Sequence, residues 1–563
     1  MCGIVGIWNQ LDEAAVAEMA RSVAHRGPDR LDWLTTGKSS LGASRLAIVG
    51  NRDTPVVFCD PDTNITVLLN GEIYNVGTLR ATLITCGYVF RTDSESEVIA
   101  KLYDHYGKDF AMYLHGMFAI AIIDGNRLIL ARDRFGIKPL YYTYVGEKVL
   151  FGSEIKALLA HPQVSAKLHI PALEEIAVFG YVYSSDKTLF EGIVQVEPGT
   201  VVYFSDKEIS IVKYWHAPEA SYFDAERHLD YPAAVMQLRE SIIKTMDSLL
   251  SHGDHPMGVY LSGGLDSTIL TLVARVILDC PVITFTLADS SESADLLAAR
   301  EVARKLETHH VERRVTLEDY FSKLKHFVWH YESFVGGGVF EVHGGMAFHL
   351  LSETVAEHVK VAFSGEGADE LFGGYYWIYT HPLGFADRIR SRLTSDSDQT
   401  IRRVVDHLFP LPEDERIYRR NVFDSLIGGG LANYHLQSVD RSAGAFGFEV
   451  RPAYLSDELS SLALSLPIEY KVQGKRMTKR ILRDAFKPEL ERLGLEWVLS
   501  RPKEAMPTAV SNLAPCIAQR FEASVDDKWL ARHPLNIYLR SKVDVYLFDL
   551  FAEAFLLGES NAI

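Results

Sequence analysis

Residues 257–270, MGVYLSGGLDSTIL, constrain the fold more than any other stretch of this chain. Val259, Tyr260 and Leu261 suit a short buried strand, and the apolar run 269–277 reads as a helix. Between them Ser262-Gly263-Gly264-Leu265-Asp266-Ser267 forms a tight glycine-rich turn. A strand that feeds a helix through such a turn aims backbone N–H groups, and the positive helix end, at an anion. Ser262 and Ser267 add hydroxyl donors, and Asp266 is a hard oxygen ligand suited to Mg2+ beside phosphate oxygens. The turn lacks the Gly-Lys-Ser/Thr ending of the common nucleotide-triphosphate loop. It reads as a pyrophosphate-binding loop.

The chain beyond the loop keeps to one pattern. Residues 282–287 (VITFTL) read as a second buried strand, 294–306 as a helix and 309–315 as a third strand. Alternating strands and helices imply a parallel sheet with ligands at the C-terminal strand ends. A further strand, 359–363, runs into Ser364-Gly365-Glu366-Gly367-Ala368-Asp369-Glu370. Glycines at a strand end let a ligand approach the backbone, and Asp369 offers a second Mg2+ ligand to partner Asp266. Carboxylates packed this closely repel one another, which favours a bound cation.

At 563 residues the chain can bury two or more cores. A net charge of −17 argues against a nucleic-acid surface. An apolar run of about eighteen residues, the length of a membrane span, is missing, and no signal peptide is expected. Five cysteines without close spacing suggest neither a disulfide framework nor a zinc site, and fit a reducing cytoplasm.

Cys2 follows the initiator methionine in Met1-Cys2-Gly3-Ile4-Val5-Gly6. If Met1 is removed, the α-amine of Cys2, of pKa about 7.7–8.0, lies beside its own thiol and can serve as its base. Polar clusters follow at His25-Arg26-Gly27-Pro28-Asp29, Ser44-Arg45, Asn70-Gly71-Glu72 and Thr92-Asp93-Ser94-Glu95-Ser96-Glu97. Strands such as 65–69 and 117–123, and a helix around 76–86, lie between them.

Taken together behind a Cys2 start, these clusters resemble the class II glutamine amidotransferase domain, the N-terminal-nucleophile glutaminase, over residues 1–204. The resemblance implies that Cys2 attacks the glutamine side-chain amide and forms a thioester. Asn70 and the N–H of Gly71 would make the oxyanion hole. Arg45 would pair with the glutamine α-carboxylate, and Glu72 and Glu95 would hold its α-ammonium. Related proteins usually carry aspartate where Glu95 stands, so this carboxylate reaches one methylene further.

The loop at 262–267 resembles the PP-loop of ATP pyrophosphatases. The Ser-Gly-Glu-Gly-x-Asp-Glu block, together with Phe446-Gly447-Phe448-Glu449-Val450-Arg451 and Arg501-Pro502-Lys503, resembles the asparagine synthetase family. The fold so implied is an N-terminal-nucleophile glutaminase β-sandwich in residues 1–206, a linker at 207–231, and an α/β PP-loop ATP pyrophosphatase domain in 232–563. ATP would be held by Leu261, Ser262, Gly263, Gly264, Asp266, Ser267, Thr286, Ser364 and Gly365, with Mg2+ on Asp266 and Asp369. Lys503 would face the adenylate and Glu366 would assist nitrogen attack. Lys475 and Lys479 are placed on a solvated helix face. The resemblance also admits a homodimer.

The implied reaction is glutamine-hydrolysing, ATP-dependent amide synthesis through an acyl-adenylate. Its acceptor site departs from the family. Arginine is absent between Arg314 and Arg388, and Gly336-Gly337-Gly338 stands where the family clamps aspartate. An acceptor other than free aspartate is expected, against a wall of Phe340, His343, Met346 and Phe348, with His343 read as structural. Two alternatives stay open: a β-lactam-synthetase-like amide former using another nucleophile, and a non-catalytic binding relative.

Overall fold

The computed structural model describes residues 2–49, 56–216, 230–253, 256–336, 339–375, 387–394, 397–408, 426–473, 477–503 and 506–556. Two six-stranded antiparallel sheets lie face to face in the N-terminal half. One runs Ile193–Gln195, Tyr141–Val145, Lys148–Gly152, Gly3–Trp8, Ser39–Arg45, Arg30–Thr36. The other runs Ile209–Lys213, Thr200–Ser205, Arg127–Arg132, Gly116–Asp124, Thr66–Ile73, Val57–Cys59.

The period-two geometry of strands divides their residues between two cores. Ile4, Leu41, Leu68, Ala119, Ala121 and Leu130 fill the space between the sheets. Val5 and Ile7 turn outward under the helix Glu13–Ser22. Val67, Phe118, Ile120 and Ile122 turn outward under the helices Val76–Thr85 and Glu95–Tyr106. Because both faces of the sheets are covered, a strand such as Gly116–Asp124 (GMFAIAIID) reads as a continuous apolar run rather than an alternating one. Ile209–Lys213 is an edge strand of the second sheet, although it falls within the stretch expected to be linker. The helix Tyr231–Ser251 begins where that stretch ends.

The C-terminal half carries the expected parallel sheet. Its order is His309–Arg314, Val282–Ala288, Met257–Tyr260, Val361–Ser364, Glu449–Pro452. Met257–Tyr260 is central, and the strand after it in the chain lies on one side while Val361–Ser364 lies on the other. Such a reversal opens a crevice at the strands' carboxyl ends. The turn 262–267 and the block beginning at Ser364 both leave the sheet there.

The two halves meet through buried ions. Arg26 contacts Glu154 at 2.8 Å and Asp440 at 2.9 Å, all three being buried. Arg441 contacts Glu332 at 2.8 Å and Glu154 at 3.1 Å, and Lys156 contacts Glu332 at 3.0 Å. Glu332 also accepts backbone N–H bonds from Ile155 and Lys156 at 2.8 and 2.7 Å. Burial alone would raise the Glu154 carboxyl, but His25, Lys156 and Arg441 hold it well below the usual carboxylate range. Removing one partner from such a buried set leaves charges uncompensated. Glu154→Ala is therefore expected to cost about 3–5 kcal/mol in denaturant unfolding. Glu458→Ala, which breaks the exposed pair with Lys244, should cost less than about 1 kcal/mol.

Candidate active sites

The turn after Met257–Tyr260 is shaped by its own side chains. Gly263 sits at φ +70° with the helix from Ala294 close behind it, so a side chain there would be both strained and blocked. The Ser267 hydroxyl accepts the Ser262 N–H at 3.3 Å, and the Ser262 hydroxyl accepts the Gly264 N–H at 3.3 Å. Leu265–Leu272 then starts as a helix with Asp266 in its first turn. Thr286 donates its hydroxyl to the Leu261 carbonyl, joining the two strand ends that flank the crevice. Arg501 donates to the Ser262 carbonyl at 2.9 Å and is itself held by Asp295 at 2.5 Å.

The second loop packs directly on the first. A Cβ on Gly365 would come within 3.2 Å of the Asp266 Cβ. Lys479 Nζ lies 2.6 Å from Asp266 Oδ2 and 2.6 Å from Asp369 Oδ1, and Lys503 Nζ lies 2.6 Å from Asp369 Oδ2. Burial would raise the Asp369 carboxyl, and the two lysines outweigh it, holding the group well below the carboxylate range. This corrects the expectation for Lys479. It is buried, at 3% side-chain exposure, and not on a solvated face. The fit to a divalent cation is good, because Asp266 Oδ1 is buried without a hydrogen-bond partner and both aspartates offer hard oxygens. Lys475 lies outside the described residues.

Glu366 faces the same crevice. Burial raises its carboxyl, with His435 and Lys503 pulling it down and Glu370 and Asp369 pushing it up. His343 and Met346 are not joined to these loops by any hydrogen bond or ion pair among the described residues. His343 accepts or donates at 3.0 Å to the Tyr320 hydroxyl, inside the packing between the helices Leu317–Tyr331 and Val339–Ala356. Burial pushes its ring down to about 4, so it is neutral. Met346 and Phe348 belong to the same core. Gly337, Gly338 and the Phe340 side chain lie outside the described residues.

In the N-terminal half, Cys2 begins the central strand of its sheet. Its N–H donates to Asn70 Oδ1 at 3.2 Å, and Arg26 Nε donates to its carbonyl at 3.1 Å. Burial pushes the thiol up. Gly71 follows Asn70 at φ +136°, where a Cβ would strike the Met117 carbonyl oxygen at 1.9 Å. That close approach lets the chain turn its backbone beside Cys2. Arg45 donates to the Val49 carbonyl at 3.1 Å.

Glu95 Oε1 accepts the Ile73 N–H at 2.8 Å, which brings its carboxylate beside Glu72. Glu97 is occupied elsewhere, accepting the N–H groups of Arg91 and Thr92 at 2.9 and 2.7 Å. Glu72 is raised to about 7 by burial and by Glu449, and Glu95 is raised by burial and by Glu72. Glu72 is buried and Glu95 half-buried, and two adjacent carboxylates of this kind attract a cation.

Residues 1–215 match the family model described as a glutamine amidotransferase domain, and residues 237–544 match the one described as asparagine synthase. An asparagine synthetase [glutamine-hydrolyzing] 3 of Bacillus subtilis is 30% identical over 554 residues, covering 90% of this chain and 87% of that protein. Asparagine synthetase [glutamine-hydrolyzing] 1 of the same organism is 33% identical, covering 70% of this chain and 62% of its own length. A homologue of that name numbered 3 in Arabidopsis thaliana is 28% identical, covering 91% and 79%. The chain belongs to the glutamine-hydrolysing asparagine synthetase family.

Membership gives the two crevices a common frame, an amidotransferase half and a synthetase half in one chain. Sequence reasoning missed Arg501 as a clamp on the turn, and it missed His435. A charged residue in Arg-Pro-Lys, two positions before Lys503, was the available signal for the first. The raised Glu72 has a consequence for glutamine. As pH falls through about 7 the carboxylate pair gains a proton and loses attraction for an α-ammonium. The KM for glutamine, followed by glutamate release, is expected to rise below that pH and to level off above it.

Proposed function

We propose that this asparagine synthetase family member makes an amide from a carboxylic acid other than free aspartate, using ATP and glutamine. The observation that carries the synthetase half is the convergence of Asp266, Asp369, Lys479 and Lys503 on one crevice.

In the amidotransferase half, Cys2 Sγ attacks the glutamine amide carbon once Met1 has been removed. The thiol proton passes to the Cys2 amine and on to the leaving ammonia, and water later cleaves the thioester to glutamate. The amide of Asn70 and the N–H of Gly71 stabilise the oxyanion, a contribution of several kcal/mol in comparable sites. Arg45 pairs with the α-carboxylate, and Glu72 with Glu95 receives the α-ammonium.

In the synthetase half, an acceptor carboxylate oxygen attacks the α-phosphorus of ATP and pyrophosphate leaves. The turn 262–267 supplies N–H and hydroxyl donors to the phosphates, Leu261 and Thr286 flank the nucleoside, and Ser364 and Gly365 close the opposite side. Lys479 and Lys503 neutralise charge on the departing pyrophosphate. Asp266 and Asp369 would hold Mg2+, which supplies further charge neutralisation at the phosphates. Ammonia then attacks the acyl carbon, AMP leaves, and Glu366 removes a proton from the nitrogen.

The acceptor reading rests on charge. The family's aspartate needs an ionic clamp, and the sequence holds no arginine between Arg314 and Arg388. Arg451 is already engaged with Glu449 at 3.0 Å and with the Leu249 and His252 carbonyls at 2.8 and 2.7 Å. A buried α-carboxylate without a partner is costly.

The test is pyrophosphate release from ATP and Mg2+, screened over carboxylic acids with glutamine or ammonium, with products weighed by mass spectrometry. Release with an acid other than aspartate is expected. Turnover of free aspartate at near-diffusional efficiency would refute the acceptor reading, and no release with any acid would favour a non-catalytic relative. Cys2→Ala should abolish glutamine use and spare ammonium use, because the two chemistries lie in separate halves.

A further inference from the structure

Leu426–Leu436 is wound as a π-helix, a rare winding that clusters at functional sites. Near its end two neighbouring residues make contacts of different kinds. Asn433 Nδ2 donates to the carbonyls of Val182 and Ser184 at 3.1 and 3.0 Å, and its Oδ1 accepts from Gln195 Nε2 at 3.0 Å. The amidotransferase half thereby pins this segment in place. Two positions on, His435 faces the carboxylates of the synthetase crevice.

Its Nδ1 lies 3.9 Å from Glu366 Oε2, and its Nε2 lies 3.3 Å from the Tyr375 hydroxyl and 4.0 Å from Glu370 Oε1. Tyr375 donates its one hydroxyl proton to Glu370 Oε1 at 2.7 Å. Its oxygen can then only accept from His435, which puts the imidazole proton on Nε2 and leaves the Nδ1 lone pair toward Glu366. The other charged and titratable groups facing this set, among the described residues, are Asp369 and Lys503 behind Glu366, and Tyr434 against the ring. The His435 side chain is 31% exposed and that of Glu366 20%, so the ring offers the carboxylate a further route to solvent.

We propose that His435 receives the proton that amide formation leaves on Glu366, a role that rests on the reading of Glu366 given above. The nitrogen–carbon bond forms, the bond from the acyl carbon to AMP breaks, and AMP leaves with the electron pair. One proton passes from the nitrogen to Glu366 Oε2, then to His435 Nδ1, and the imidazolium loses its Nε2 or Nδ1 proton to solvent. His435 is thus a positioning and relay residue that restores Glu366 as a base. The 3.9 Å gap is of the kind that tightens when a site fills, or is bridged by one water.

Two measurements test this on the full chain. In protein carrying ring-13C histidine, the His435 signal is assigned by its loss in His435→Ala. Its ring-carbon shifts are expected to report the Nε2–H tautomer in the neutral ring, with Nδ1 as the acceptor toward Glu366. An Nδ1–H tautomer overturns the proposal, and because no acceptor acid is needed, that failure is separate from failure of the amide synthetase reading. With ammonium chloride and the acid that releases most pyrophosphate in the screen, His435→Ala should lower the ratio of amide formed to pyrophosphate released about tenfold or more. Added imidazole should restore part of it. A ratio equal to that of the unmodified protein overturns the relay.

Discussion

Two carboxylates from different loops converge on one lysine, and the synthetase half is built around that convergence. Asp266 and Asp369 leave neighbouring parallel strands on either side of the point where the strand order reverses, and Lys479 bridges them at 2.6 Å to each. Without it, two buried like charges would repel one another and one would take up a proton. Lys503 takes the second oxygen of Asp369, so two lysines offset the two aspartates, with Glu366 adjoining them. A polyphosphate arriving with a divalent cation then finds donors for its oxygens and ligands for the cation.

The same physics organises the seam between the halves. Arg26 reaches from the Cys2 carbonyl to Glu154 and across to Asp440, so the position of Cys2 is tied to the synthetase half by charge-assisted bonds. His25, Glu154 and His330 stand close enough to suggest a metal cluster. The charge around them argues otherwise. Lys156, Arg26 and Arg441 already surround Glu154, and Lys156 and His25 help burial to hold the His330 ring neutral. A divalent cation would add charge to a set that is already balanced, so these residues read as the seam's packing.

What was legible in the sequence was chemistry carried by adjacent residues. The turn 262–267 and the block from Ser364 announce themselves because their donors, glycines and carboxylates are contiguous. The parallel sheet was legible from apolar runs of strand length, whereas the sandwich was implied by the resemblance that the polar clusters behind Cys2 carry. Lys479 was not, because helical spacing points it toward water. Its left-handed backbone at φ +53°, just ahead of the helix Arg480–Arg492, turns it instead under the two loops. His435 sits in an apolar stretch, Leu431-Ala432-Asn433-Tyr434-His435-Leu436, with no local sign that distant carboxylates will meet it. His343 showed the reverse. Its neighbourhood in the chain suggested a pocket wall, and tertiary packing placed it against Tyr320 in the core.

Glu95 joins these strands of argument. Its extra methylene raised the question of whether the carboxylate could still reach the ammonium position. The Ile73 N–H holds Glu95 Oε1 at 2.8 Å and so fixes the longer side chain beside Glu72. The electrostatics of that pair are set from the other half of the chain. Glu449 raises both carboxyls and Arg451, stacked over Tyr74, lowers both. Glu449 and Arg451 belong to the edge strand of the parallel sheet, the neighbour of the strand that delivers Ser364. That strand therefore sets part of the charge felt at Glu72 and pairs with the strand that leads into the loop carrying Glu366. Glu72 and the loop that carries Glu366 thus both depend on this one strand.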